Sequence, residues 1–243
     1  MRRCASLLLL LGLVAPVVAQ DAKLRVIASI AKDSKTGIGK TRLLETSKGE
    51  LLAFYDVGPG VFVTTSTDRG ITWTDLAGKP GVSSVCETAL GGFDASVDAK
   101  DVVTIALATR GDIELRTLRR ADAGWSLSEP KTLDAALRVK GPAICTDARG
   151  DVWVAYFFNG HEELQGIRVS RTPSGERFGE NTGRFNVTWG FGSTVQKLVV
   201  WHGRPMLFYS GGSNQESRQI YWTVFDGKRW PRGAVGVGEC ARA

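Results

Sequence analysis

The chain has 243 residues, 43% of them hydrophobic, and a net charge of +6, enough for a sizeable core in one domain. Its 31 lysines and arginines are scattered, which excludes the basic stripe with interleaved aromatics that nucleic-acid binding requires. Four cysteines with neither metal-site nor CxxC spacing exclude a zinc cluster and a redox motif, so no metal and no cofactor is expected.

The first element is MRRCASLLLLLGLVAPVVAQ. Two arginines, a leucine run and small residues ending at Ala19 have the layout of a cleaved secretory signal covering 1–19. The apolar run is shorter than the about 20 residues a bilayer span needs. Residues 20–243 are then a single exported domain, secreted or periplasmic, with no membrane span in the mature chain. Cys4 leaves with the signal. Cys86, Cys145 and Cys240 remain, either as one pair plus a free thiol or as three buried thiols; their state and the oligomeric state stay open.

From residue 24 onward the chain reads as short apolar strands broken by Gly, Asp, Ser and Pro turns, with no sustained helical period. LRVIASIA is a leading strand, which either completes the last unit by closing a ring or belongs to a fifth. Four similar segments follow: TRLLETSKGELLAFYDVGPGVFVTTSTDRGITW, GFDASVDAKDVVTIALATRGDIELRTLRRADAGW, GPAICTDARGDVWVAYFFNGHEELQGIRVSRTPSGERF and VQKLVVWHGRPMLFYSGGSNQESRQIYWTVFDGKRW. Each is strand, charged turn, apolar strand, variable loop, strand and a Gly turn before an aromatic. Gly49, Gly150 and Gly203 fall at matching turns, and Asp98 matches Asp147. A repeat of about 50 residues is that of a propeller blade. A lone unit cannot bury both faces and must stack on neighbours. The expected fold is all-β, a β-propeller of four-stranded blades; the recurrent closing aromatic argues against a sandwich of unrelated hairpins.

In the first repeat the strand GVFVTT runs into STDRGITW. Ser66, Asp68, Gly70, Thr72 and Trp73 fit S-x-D-x-G-x-T-W, with Asp68 able to accept turn amides and Gly70 supplying backbone freedom. This turn resembles the Asp-box, the bacterial neuraminidase repeat of sialidase-like β-propellers. Decayed copies are SRTPSGERF, VFDGKRW and RADAGW. The resemblance implies a structural turn between the third and fourth strands, away from the active face, with Trp73 opening the outermost strand and packing between blades. Sialidase propellers have six blades. Four are recognisable here, which leaves a five-bladed ring or a truncated relative of the six-bladed form open.

The resemblance also implies three carboxylate-binding arginines, a Tyr/Glu pair and an acidic Asp. Gly39-Lys40-Thr41 stands where Arg-Ile-Pro is expected, with Arg42 out of register. Val57 or Gly58 stands where a further arginine belongs, and DVGPG shortens the loop of the acid. Arg218 sits near the place of a later family arginine. Asp56, Asp94, Glu162 and Glu163 read as solvated surface acids, so the catalytic residues stay unassigned.

Candidate ligand-binding residues come from the end opposite the Asp-box. They are Asn159, His161, Glu162 and Glu163 in NGHEELQG (159–166), Asn214 in SGGSNQES (210–217), Arg218, and Arg138, Lys140, Trp189 and Phe191 in entry loops. Polar loops on a rigid scaffold are where function concentrates. His202 reads as a turn residue, Trp153, Trp201 and Trp222 as core, and Asn186-Val187-Thr188 as a glycosylation acceptor. The functional expectation is a module that binds a glycan or an extracellular protein partner and lacks intact sialidase catalytic residues. The alternative is an exo-sialidase-type glycoside hydrolase with rearranged residues.

Overall fold

The computed structural model describes residues 38–135, 138–159, 165–176, 183–189, 194–211 and 219–231. The segment 1–19, the strand LRVIASIA and Cys240 lie outside the described residues. Among those described are sixteen strands and no helix. The first sheet is β1 (Ile38–Glu45), β2 (Leu51–Val57), β3 (Gly60–Ser66) and β4 (Ser83–Cys86). The second is β5 (Phe93–Val97), β6 (Val103–Ala108), β7 (Asp112–Ala121) and β8 (Gly124–Leu127), with β9 (Lys131–Ala135) also paired to β7. The third is β10 (Arg138–Thr146), β11 (Val152–Asn159), β12 (Gln165–Thr172) and β13 (Gly183–Trp189). The fourth is β14 (Thr194–Trp201), β15 (Arg204–Gly211) and β16 (Gln219–Val224). Each sheet is an antiparallel meander, and the four are the blades of a β-propeller.

Blades two and three are covered on both faces, so their second strands are apolar almost throughout. On β6, Val103, Ile105 and Leu107 enter the core between blades one and two, while Ala106 and Ala108 enter the core between blades two and three. On β11, Trp153 and Ala155 face blade four, and Val154, Tyr156 and Phe158 face blade two. Trp153 is fully buried and meets Phe225, Phe185 and Trp230 at ring distances of 4.8, 6.2 and 6.2 Å. Truncating a side chain of this kind costs about 3–5 kcal/mol.

The outer edge of blade two is one strand broken in two. β8 pairs with β7 at Leu118–Ala121, and β9 pairs with it at Asp112–Leu115. Pro130 falls in the break, where a residue without an N–H does no harm. The Thr117 amide donates to Ser128 Oγ at 2.9 Å, so a side chain fills the gap in the ladder.

The charged turns repeat in detail. In the turns 46–50, 98–102 and 147–151 the first amide donates to the fifth carbonyl and the fourth amide to the first carbonyl. The fourth residue has φ of 77° at Gly49, 59° at Asp101 and 84° at Gly150. Gly203 departs from this match. It sits in a shorter hairpin, between Trp201 and Arg204, where His202 and Gly203 have φ of 46° and 73°, the doubly positive geometry of a two-residue turn.

Two expectations about tryptophans are corrected. Trp73 does not open the outer strand. It stays in the turn, its indole N–H donating to the Gly70 carbonyl at 3.1 Å, and the strand starts later, at Ser83. Thr74 bridges back to Thr65 and on to Pro80, and this small detour delays the pairing. Trp201 is not core. It ends an inner strand beside the tight turn, 52% exposed, with its ring 4.4 Å from that of His202.

Candidate functional site

The innermost strands β1, β5, β10 and β14 surround the axis. Their first residues share one end, the upper end, with the turns that join second to third strands. The turns joining first to second strands, and the 66–73 turn, lie at the lower end. β1, β10 and β14 each shift register against their neighbour, between Ile38 and Thr41, Lys140 and Ala143, and Val195 and Lys197. A register shift of this kind interrupts the regular pairing and re-aims the residues at it; the shift in β10 spans Pro142, whose carbonyl accepts Lys40 Nζ.

Four blades meet there on one carboxylate. Asp94 of β5 is fully buried. Arg42 Nε of blade one lies 2.9 Å from its Oδ1 and also donates to the Ala95 carbonyl at 3.3 Å. The Ile144 amide of blade three donates to Asp94 Oδ2 at 3.2 Å, and Lys197 Nζ of blade four lies 3.8 Å from the same oxygen. Lys40 Nζ of blade one donates to the Pro142 carbonyl of blade three at 3.4 Å. Contacts between blades one and three and between two and four both cross the axis, as only a narrow ring permits. Desolvation of the Lys40 ammonium, outweighing the pull of Asp94, lowers its pKa, even though the residue as a whole is exposed.

The reading of Asp94 as a solvated acid is therefore overturned: it is an internal counter-ion. Its partner Arg42 is 52 residues away in sequence, and nothing local marks the pair. Asp56 is half-buried on β2, and it accepts the Lys40 amide.

The named upper-end residues are placed as follows. Arg138 and Lys140 are strand residues of β10, where entry-loop positions were expected. Arg138 stands opposite Asn159, the last residue of β11, and Lys140 opposite Phe157, with its ammonium 5.6 Å from that ring. The pairing of Asn159 with Gln165 shortens the expected loop to 160–164. Trp189 ends β13, opposite Gly166. His161, Glu162, Glu163, Phe191, Asn214 and Arg218 lie outside the described residues.

At the lower end, Asp68 organises the 66–73 turn. Its Oδ1 accepts Ser66 Oγ at 2.8 Å and the amides of Ile71 and Thr72 at 2.9 and 2.8 Å, and its Oδ2 accepts Thr72 Oγ1 at 2.7 Å. The Thr72 amide first, with help from the Thr72 and Ser66 hydroxyls, holds its carboxyl down to about 2.

A second buried carboxylate escaped sequence reading. Asp134, on β9, accepts the Tyr156 hydroxyl and Arg168 at 2.6 Å and lies 3.5 Å from Arg184. Arg168 also lies over the Phe158 ring at 4.1 Å. Burial, then the bond to Asp134, raises the Tyr156 pKa. This cluster ties the edge of blade two to blade three, away from the axis. Among the described residues no group of three or more His, Cys, Asp or Glu side chains is arranged to hold a metal ion.

Comparison with solved structures places this geometry. A Hadza microbial sialidase superposes with a TM-score of 0.55 at 17% identity over 78% of this chain and 45% of its own. A PL25 ulvan lyase gives 0.57 at 11% identity, over 79% and 54%. The Trypanosoma rangeli sialidase gives 0.55 at 15%, over 83% and 38%. The fold is that of a sialidase-like β-propeller. At these identities the likeness is one of fold, and this chain spans about half or less of each of these proteins. No family model matches the sequence, and no curated protein does.

Proposed function

We propose that this chain is an extracellular binding module that recognises a glycan, or a glycan-bearing partner, at its upper end, and that it does not hydrolyse sialosides. The observation that carries this is the Arg42–Asp94 pair. An arginine that reaches the axis of such a propeller is suited to grip a substrate carboxylate through paired hydrogen bonds. Here it is already gripping one, and Lys197 leans on the same oxygen pair. The structural neighbours named as sialidases and as a lyase act on glycans, which supports a carbohydrate ligand. Arg138, Lys140, Asn159 and Trp189 are the binding candidates with a described place at that end. The 66–73 turn is read as a structural Asp-box, and residues 1–19 as the export signal.

The test combines a glycan array with a fluorogenic sialoside. Array binding that falls at least tenfold in the Arg138→Ala/Lys140→Ala variant, with no sialoside turnover, is the expected outcome. Turnover that disappears in Arg218→Ala overturns it and establishes the hydrolase reading.

A further inference from the structure

The carboxylate at the axis has its bonds filled. Asp94 Oδ1 accepts the Ala95 amide at 3.0 Å and lies 2.9 Å from Arg42 Nε. Its Oδ2 accepts the Ile144 amide at 3.2 Å and Arg42 Nη2 at 3.4 Å. The guanidinium of Arg42 is thus closed on an internal acid.

Two further cations reach the same place and find less. Lys197 Nζ lies 3.8 Å from Asp94 Oδ2, beyond hydrogen-bond length. Lys40 Nζ makes one long bond, at 3.4 Å, to the Pro142 carbonyl. Asp56 accepts the backbone amide of Lys40 and not its ammonium. An ammonium carries three donors, so among the described residues both lysines keep most of their hydrogen-bonding capacity unused. Burial lowers the Lys40 pKa against the pull of Asp94 and Asp56, and Arg42 adds to the lowering. The Lys197 side chain is 35% exposed, and Lys40 is exposed as a residue. An occupant entering from the upper end therefore meets one ammonium from blade four and one from blade one.

We propose that Lys40 and Lys197 hold the sulfate ester of a sulfated glycan, a proposal that rests on the glycan site at the upper end. A guanidinium fork suits a planar carboxylate, and the fork here is occupied by Asp94. Ammoniums are point charges with rotatable donors. A sulfate ester has terminal oxygens pointing in several directions, so one group can bridge both lysines. The charge agrees. Among the described residues, Lys40, Arg42 and Lys197 face Asp94 and Asp56, and one more negative charge brings the cluster to neutrality.

The experiment measures binding of sulfated galactan and sulfated fucan oligosaccharides, their desulfated forms and an oligogalacturonate to the full-length protein by calorimetry. At least one sulfated glycan is expected to bind tenfold or more tighter than its desulfated form. Lys40→Gln/Lys197→Gln should remove that advantage, and Lys40→Gln alone, at an exposed residue, should remove part of it with the melting temperature unchanged. Lys48→Gln/Lys100→Gln takes the same charge from exposed turns at the lower end and should leave the advantage in place. An equal loss in this second pair would reduce the effect to net charge and overturn the proposal. Desulfated forms that bind as tightly as sulfated ones overturn it alone and leave the glycan-binding function standing. A preference for oligogalacturonate overturns the assignment to sulfate. Binding of none of these glycans, with none on the array, overturns both.

Discussion

Tyr156, on the second strand of blade three, donates its phenolic hydrogen to Asp134, on the outer edge of blade two. The same oxygen of Asp134 takes Arg168, so the edge of one blade is pinned to the face of the next by a charged hydrogen-bond cluster. Ser170 stands 3.1 Å from the same hydroxyl.

Tyr156→Phe removes a buried bond to a charged acceptor and is expected to cost about 1.5–3 kcal/mol. Tyr55→Phe is its control. The Tyr55 hydroxyl is buried without a hydrogen-bond partner among the described residues, so its removal is expected to be neutral or stabilising. Urea unfolding of the two variants checks the contrast, and equal losses would contradict it.

Asp94→Ala is expected to cost about 3–5 kcal/mol, the range for deleting one member of a buried ion pair. Arg42 and Lys197 are then left as neighbouring cations without their counter-ion. The double variant Arg42→Met/Asp94→Leu should recover most of the loss, because two apolar side chains replace two buried charges. A double variant as unstable as the single one would show that the charge pairing is not what Asp94 contributes.

Acid should loosen the 66–73 turn within a defined window. The Asp68 carboxyl titrates at about 2 in the folded chain, against about 3.9 when unfolded. A depressed folded pKa stabilises above the unfolded value, and that contribution is lost as pH falls through the folded one. The gap in Tm between wild type and Asp68→Asn should therefore be full above about pH 4 and shrink toward pH 2. A gap that does not change with pH would show that the charge of Asp68 has no part in holding the turn.

Cys145 should resist alkylation. Burial first, then Asp147 and Asp94, pushes its thiol up to about 12, and the thiolate is the reactive form. Cys86 is half-exposed. Mass spectrometry of peptides after brief iodoacetamide treatment of the native protein should find Cys86 modified ahead of Cys145, and the reverse order would contradict this placement.

What sequence reveals here tracks the distance between partners. The turns 46–50, 98–102 and 147–151 could be matched because their donors, acceptors and positive-φ residues lie within five positions. Asp68 was legible for the same reason. Asp94 and Asp134 were not, since their partners come from other blades: Arg42 lies 52 residues from Asp94, and Arg168 lies 34 from Asp134. A lone aspartate in a strand carries no local mark of its counter-ion. The outer strand of blade one was misplaced because the bridges of Thr74 follow from a local detour that S-x-D-x-G-x-T-W does not encode.

The carboxylate at the axis also sets a timetable. Asp94 emerges from the ribosome after Arg42 but well before Ile144 and Lys197, and long-range pairing of this kind is slow to form. Until the last blade is made, a charge destined for complete burial has only part of its shell. The nascent chain through blade two is thus a poor stopping point, and one that holds its apolar blade faces open to proteases and to other chains. Lys197 is among the last groups to arrive, so the shell around Asp94 is completed only when the fourth blade docks.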